Sequence, residues 1–126
     1  MADATARRPA PGAEARRALA QAGEQAAADW YEGQGYELVV RNWRCRDGEI
    51  DLVVRRGREF VFCEVKARTT DAFGAPVEAV GRAKQVRLRR LAARWIEEAA
   101  PVRPTGVRFD VVSVLGGVVE VLEGAF

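Results

Sequence analysis

Phe60–Val61–Phe62–Cys63–Glu64–Val65–Lys66, preceded by Gly48–Glu49–Ile50–Asp51, decides how the chain is read. Both runs are rich in β-branched and aromatic residues, the composition of strands. Both also carry acids inside apolar segments, where an unpaired charge costs on the order of several kcal/mol. Residues two apart on a strand share a face, so Glu64 and Lys66 point the same way, with Phe62 and Phe60 behind them. Asp51 lies between Ile50 and Leu52, a second charge in an oily run. Pairing of the two strands brings Asp51 to the Glu64/Lys66 face. The natural partner of such a group is a divalent metal ion.

The flanking segments extend this pattern. Residues 36–45 read as a strand, turned by Arg46–Asp47–Gly48 into a second strand over 49–55. Arg56–Gly57–Arg58 then turns the chain into a third, over 59–67. The second and third are apolar on both faces, which implies cover on both sides of a sheet. Upstream, residues 13–32 are rich in Ala, Glu, Gln and Arg and read as a helix. Its apolar stripe is Leu19, Ala22, Ala26 and Trp30, with Gly23, Ala27 and Tyr31 beside it. Downstream, a polar loop over 68–75 leads to a helix from Pro76 to about residue 99. Val80, Leu88, Leu91, Ala92, Trp95 and Ile96 face inward, and Arg82, Lys84, Arg87, Arg89, Arg90 and Arg94 make the other side basic. Strands over 105–115 and 118–122 follow, joined by Gly116–Gly117. The order is α-β-β-β-α-β-β, an α/β class without repeats. Residues 1–12, with Pro9 and Pro11, read as a disordered tail, and 13–126 as one domain.

Composition narrows the chemistry. Of 126 residues 48% are hydrophobic and 30% charged, ordinary for a soluble domain. No apolar run approaches the roughly 20 residues that cross a membrane, and the N-terminus lacks a signal-peptide core. A cytoplasmic location without a membrane partner is the expectation. Cys45 and Cys63 form no C-x-x-C pair and read as reduced thiols, Cys63 in the core. There is no histidine. That removes histidine triads, histidine general bases and most zinc sites. Catalysis must rest on carboxylates, Lys, Arg, Tyr or a hard metal. Of the 20 basic residues only Lys66 and Lys84 are lysines, so a compact ammonium at 66 carries some meaning. A net charge of +2 permits nucleic-acid binding without arguing for it.

Hard ions such as Mg²⁺ take one or two carboxylates, waters and substrate phosphate. Asp51, Glu64 and the Val65 carbonyl can supply such a half-shell for Mg²⁺ or Mn²⁺. Lys66 can hold or deprotonate the attacking water. Plainer readings stand beside these. Glu64 and Lys66 can form a simple same-face ion pair, and Asp51 can pair with Arg44 or Arg68. Glu49 reads as a surface residue flanking the turn. The basic helix face can contact phosphates or simply be solvated. Tyr36 and Trp43 can stack on bases or belong to the core. Asp110, amid Phe109, Val111 and Val112, either supports the site or pairs near Arg108.

Asp51 followed by Glu64–Val65–Lys66 resembles the PD-(D/E)xK pattern of the restriction-endonuclease-like superfamily. Gly23–Glu24, Gly35–Tyr36, Asn42 with Arg44, Gly48 to Leu52, Phe62 to Lys66 with Arg68, Phe73–Gly74, Lys84 and Arg108–Phe109–Asp110 resemble the YraN family of uncharacterised bacterial proteins. The chain is also similar to archaeal Holliday-junction resolvases in having a helix glutamate before the Asp and Glu-x-Lys. Ile50 replaces the proline that names the motif, and Cys63 stands where valine is more usual. The resemblance implies a restriction-endonuclease-like core, a central mixed sheet flanked by helices. It implies a metal-dependent nuclease acting on DNA, branched or recombination DNA included. Glu24, Asp51 and Glu64 would be metal ligands, with Lys66 completing the catalytic set. Arg68, Lys84, Arg44 and Arg82 are the candidate nucleic-acid contacts, and related nucleases often act as homodimers. The alternative is a non-catalytic nucleic-acid-binding or accessory module that keeps the fold.

Overall fold

Helix α1 (Ala13–Gly33) is followed by strands β1 (Glu37–Cys45), β2 (Gly48–Arg56) and β3 (Glu59–Arg68). Then come helix α2 (Arg82–Ala99) and strands β4 (Gly106–Leu115) and β5 (Val118–Leu122). The computed structural model describes residues 12–69 and 80–126. The element order is the expected one. Apart from Gly12, the predicted N-terminal tail lies outside the described residues, as does Pro76. Helix α2 begins at Arg82, behind Gly81 in extended conformation. Val80, expected on the inward side of that helix, therefore precedes it, yet it is buried all the same.

The five strands form one mixed sheet in the order β1-β2-β3-β4-β5. Only β3 and β4 run parallel, paired from Glu59 opposite Gly106 to Arg68 opposite Leu115. The helix between them makes the crossover that parallel neighbours require. The last hairpin turns at Gly116 and Gly117, with φ of 57° and 83°. Both lie in the left-handed region, which a two-residue turn of this hand demands and glycine adopts without strain.

Strands apolar on both faces acquire cover on both. On one side Ala27, Ala28 and Tyr31 of α1 pack on Leu52, Val54, Val61, Cys63, Val112 and Val114. On the other, Leu88, Leu91, Ala92 and Trp95 of α2 pack on Ile50, Val53, Phe60, Phe62 and Phe109. Trp95 sits edge-on to Phe62 at 5.6 Å.

The buried face of α1 is rotated from the stripe expected of it. Gly23, Glu24, Ala27, Ala28 and Tyr31 are buried, whereas Ala22 is exposed and Leu19, Ala26 and Trp30 only half-buried. The reason is closeness. A Cβ at Gly23 would lie 2.6 Å from the Ala67 Cβ of β3, a contact that bulkier residues on this face could not make. Small side chains win over large apolar ones because the helix lies nearly on the backbone of the sheet. That approach carries Glu24 inward.

Candidate functional site

The site begins where β2 and β3 part. Their ladder runs from Arg56 opposite Glu59 to Leu52 opposite Cys63 and stops there. Beyond it the Val65 N–H donates to Asp51 Oδ2 at 2.8 Å, so a side chain takes the place of the missing strand partner. The faces also slip at this level. Ile50 packs in the α2-side core and Leu52 in the α1-side core, although they are two apart. Level with Asp51 on β1 is Asn42, the one non-glycine residue among those described with positive φ, 52°. Distortion of this kind re-aims side chains. Here the slip falls on Ile50, while Asp51 keeps the α2-side face of Val53, two residues on.

Asp51 opens into a pocket of about 220 Å³ whose lining includes Glu49, Glu64, Lys84, Arg87, Leu88 and Leu91. Glu64 lies on the α2 side of β3, in line with Phe60 and Phe62, as the strand period requires. Two ammonium groups meet its Oε2: Lys84 at 2.7 Å and Lys66 at 3.4 Å. These are the chain's only lysines. Glu64 and Lys66 thus do form the plain same-face ion pair, but as part of a larger cluster.

Electrostatics follow from this crowding. Burial, and next the Glu64 carboxylate, push the Asp51 carboxyl up to about 7, against the Val65 N–H that favours its charge. Burial, and next the Lys84 ammonium, pull Lys66 below the ordinary lysine value. Burial is the largest single influence on Lys84 and pulls it down, but the bond to Glu64, the contact with Lys66 and the charges of Glu64 and Asp51 together hold it above that value. One lysine is held as a cation while the other is eased toward its neutral amine.

Glu24 approaches from the α1 side. Its Oε1 accepts from Asn42 Nδ2 at 3.0 Å, and burial raises its pKa with Asn42 opposing. The Glu24 charge adds to the upward shift of Asp51. The left-handed Asn42 therefore tethers the helix acid to the strand bearing Asp51's neighbours, a role that sequence reasoning did not assign. Its presence beside Arg44 in the family-like pattern was the available signal.

Of the candidate phosphate contacts, Lys84 lies in the pocket on Glu64. Arg44, largely exposed, turns to Glu49 at 2.9 Å. Arg82 is an exposed residue at the start of α2, and Arg68 is a half-buried one at the end of β3. Sequence reasoning passed over Glu49 and Arg87 as pocket residues. Glu49 looked like a turn flank and Arg87 like one arginine of many. Tyr36 is core, edge-on to Tyr31 at 5.4 Å, and Trp43 packs against the α2-side core.

Asp110 belongs to the other face. It is fully buried and accepts from Arg108 at 2.8 and 2.9 Å, from Tyr31 Oη at 2.6 Å and from the Gly124 N–H at 3.0 Å. It is a structural anchor joining α1, β4 and the C-terminal segment. Among the described residues no group of three or more His, Cys, Asp or Glu is gathered tightly enough to hold a metal ion. A hard cation would rest on the two carboxylates Asp51 and Glu64, with water and substrate oxygen completing its shell, which is within the habit of Mg²⁺.

No helix among the described residues is long and apolar enough to cross a membrane. A family model described as "Uncharacterised protein family UPF0102" matches residues 23–114, a span that contains every residue of the pocket. A UPF0102 protein of Beutenbergia cavernae is 54% identical over 101 residues, covering 80% of this chain and 85% of that relative. One from Frankia alni is 50% identical over 117 residues, 89% of this chain and 97% of the relative. One from Mycolicibacterium vanbaalenii is 48% identical over 103 residues, 82% and 84% of the two chains.

Proposed function

The chain belongs to the uncharacterised protein family UPF0102, and we propose that it is a metal-dependent nuclease of restriction-endonuclease-like fold, hydrolysing phosphodiester bonds in DNA. The pairing of Asp51 and Glu64 carries this reading. Two acids from adjacent strands line one pocket, and Lys66 shares the strand face of Glu64 at 3.4 Å. The donor chemistry fits a hard cation, since both groups offer carboxylate oxygen and the chain has no histidine. An Asp51 carboxyl raised to about 7 is what a carboxylate short of a counter-charge looks like.

When bound, Mg²⁺ or Mn²⁺ supplies Lewis-acid polarisation of the scissile phosphoryl group. Asp51 and Glu64 hold the cation side of the site. Lys66 takes or holds a proton of the attacking water, its shift toward the neutral amine making this easier. Lys84 and Arg87, facing the same pocket, offer positive charge to phosphate oxygens. Glu24, tethered by Asn42, acts through water rather than as a direct ligand. Arg44, Arg68 and Arg82 extend the positive surface along the nucleic acid.

The test is cleavage of single-stranded, duplex and four-way-junction DNA with Mg²⁺ or Mn²⁺. Activity lost in Asp51→Asn and Lys66→Ala is expected. No cleavage of any substrate, or cleavage undiminished in both variants, overturns the reading. DNA binding that persists in EDTA and in Asp51→Asn without any cleavage establishes the accessory module instead.

A further inference from the structure

Lys84 Nζ lies 2.7 Å from Glu64 Oε2, closer than Lys66 Nζ at 3.4 Å. Both lysines of a chain with 18 arginines therefore meet one carboxylate oxygen. An arginine would serve a permanent ion pair at least as well, through its two-pronged fork. A lysine offers a single compact charge on a flexible stem, which can be withdrawn. Lys84 also has somewhere to go. Its side chain is 34% exposed against 23% for Lys66, and it projects from the first turn of α2 at the pocket wall.

Charge balance favours withdrawal. The acids facing this pocket, Asp51, Glu64 and Glu49, are matched in number by Lys84 and Arg87, which face it too, and by Lys66 on Glu64. A divalent cation added to the same half-buried pocket would leave it with excess positive charge, and unbalanced buried charge is strongly unfavourable. The cation stays out unless an ammonium leaves or gives up its proton, and Lys84 is the lysine held as a cation. The more exposed of the two is also Lys84.

We propose that Lys84 is a resident counter-ion of this site, holding Glu64 in the cation-free protein and exchanging places with the divalent cation, so that cation binding frees its ammonium for a substrate phosphate. Lys84 thus serves Glu64 first and substrate phosphate second, and the inference rests on the cation site proposed for Asp51 and Glu64. Glu64 stays in one orientation whether Lys84 or the cation holds it. The freed ammonium is delivered at the pocket only once the cation is present.

Mn²⁺ binding by calorimetry, without nucleic acid, separates the two ideas. Lys84→Met and Lys84→Gln should bind Mn²⁺ about 10-fold more tightly than the wild type, the scale of one charged hydrogen bond no longer in competition. Lys84→Arg, which keeps the charge, should bind it no more tightly than the wild type. Asp51→Asn should abolish binding. If Mn²⁺ binds neither the wild type nor the Lys84 variants, the cation site itself is refuted. If the wild type binds and Asp51→Asn does not, yet Lys84→Met and Lys84→Gln bind equally or more weakly, the site stands and the exchange is refuted. A measurement on the unmutated chain is available too. With lysine labelled at Cε, the NMR spectrum has two side-chain signals. Saturation with Mg²⁺ should move the Lys84 signal toward that of free lysine. A Lys84 signal left in place as the site fills overturns the exchange.

Discussion

The backbone N–H of Val65 donates to Asp51 Oδ2 at 2.8 Å, just past the last paired residues of β2 and β3. One carboxylate oxygen thereby stitches the sheet where the strands part, while the group as a whole faces a pocket that already contains Glu64. The same residue closes a gap in the fold and loads the site with charge.

That double duty predicts a pH effect on stability. Asp51 titrates near 3.8 when free and is raised to about 7 in the fold. Between about pH 4 and about pH 7 the folded protein keeps a proton that the unfolded chain has released. Stability without metal should therefore fall as pH rises through that window, by about 2–4 kcal/mol. Asp51→Asn retains an acceptor for the Val65 N–H and carries no charge. In EDTA, urea denaturation from pH 4 to pH 8 should show the variant flatter and, at pH 8, more stable than the wild type. Parallel curves would show that Asp51 bears no such strain.

Gly23 should be indispensable for its size. Alanine there puts a Cβ 2.6 Å from the Ala67 Cβ, and neither atom is the end of a flexible side chain. Gly23→Ala should cost about 1–3 kcal/mol, the range of overpacked cores. Adding Ala67→Gly should recover much of that loss. Full stability of the single variant would mean that α1 stands off the sheet.

The Asp110 anchor makes a graded prediction. Tyr31→Phe removes one donor to a buried carboxylate and should cost about 1–3 kcal/mol. Asp110→Ala removes the acceptor of Tyr31 Oη, of the Gly124 N–H and of Arg108 Nε and Nη2, leaving Arg108 only the longer contact to Glu123 at 3.8 Å, and should cost about 3 kcal/mol or more. Denaturation reads both. Neither variant should change Mn²⁺ affinity while folded, because the anchor faces α1 and the pocket faces α2.

Burial pushes the Cys63 thiol far above the ordinary cysteine range, with Tyr31 opposing and Asp110 reinforcing. Reaction with a thiol reagent at pH 8 should spare Cys63 in the folded chain and consume it at the unfolding rate. Rapid labelling of both cysteines under native conditions would contradict its burial.

Much of this was legible in the residues alone. Periods of 2 and 3.6 are local properties, so the strand through Phe60 to Lys66 and its shared Phe60, Phe62, Glu64 and Lys66 face could be read directly. The same holds for the helix–strand order, and for the narrowing of chemistry by missing histidines. The rotated face of α1 was not legible. Leu19 and Trp30 outweigh Gly23 and Ala27 in any reckoning of hydrophobicity, and only the distance to β3 reverses their order. Glu49 and Arg87 were missed for a related reason, since nothing in their local pattern distinguishes a pocket wall from a solvated surface.

By itself the amino-acid sequence determined which segments form strands and helices, and that Glu64 and Lys66 share one face. Only the tertiary structure decided what meets them there. Lys84 comes to Glu64 from a helix further along the chain, and Asp51 takes the Val65 N–H where β2 and β3 part. Glu24 is drawn in by a glycine contact and held by Asn42. Periodicity assigns a residue its face. Which group stands opposite depends on how closely two elements approach, and residues from both set that distance.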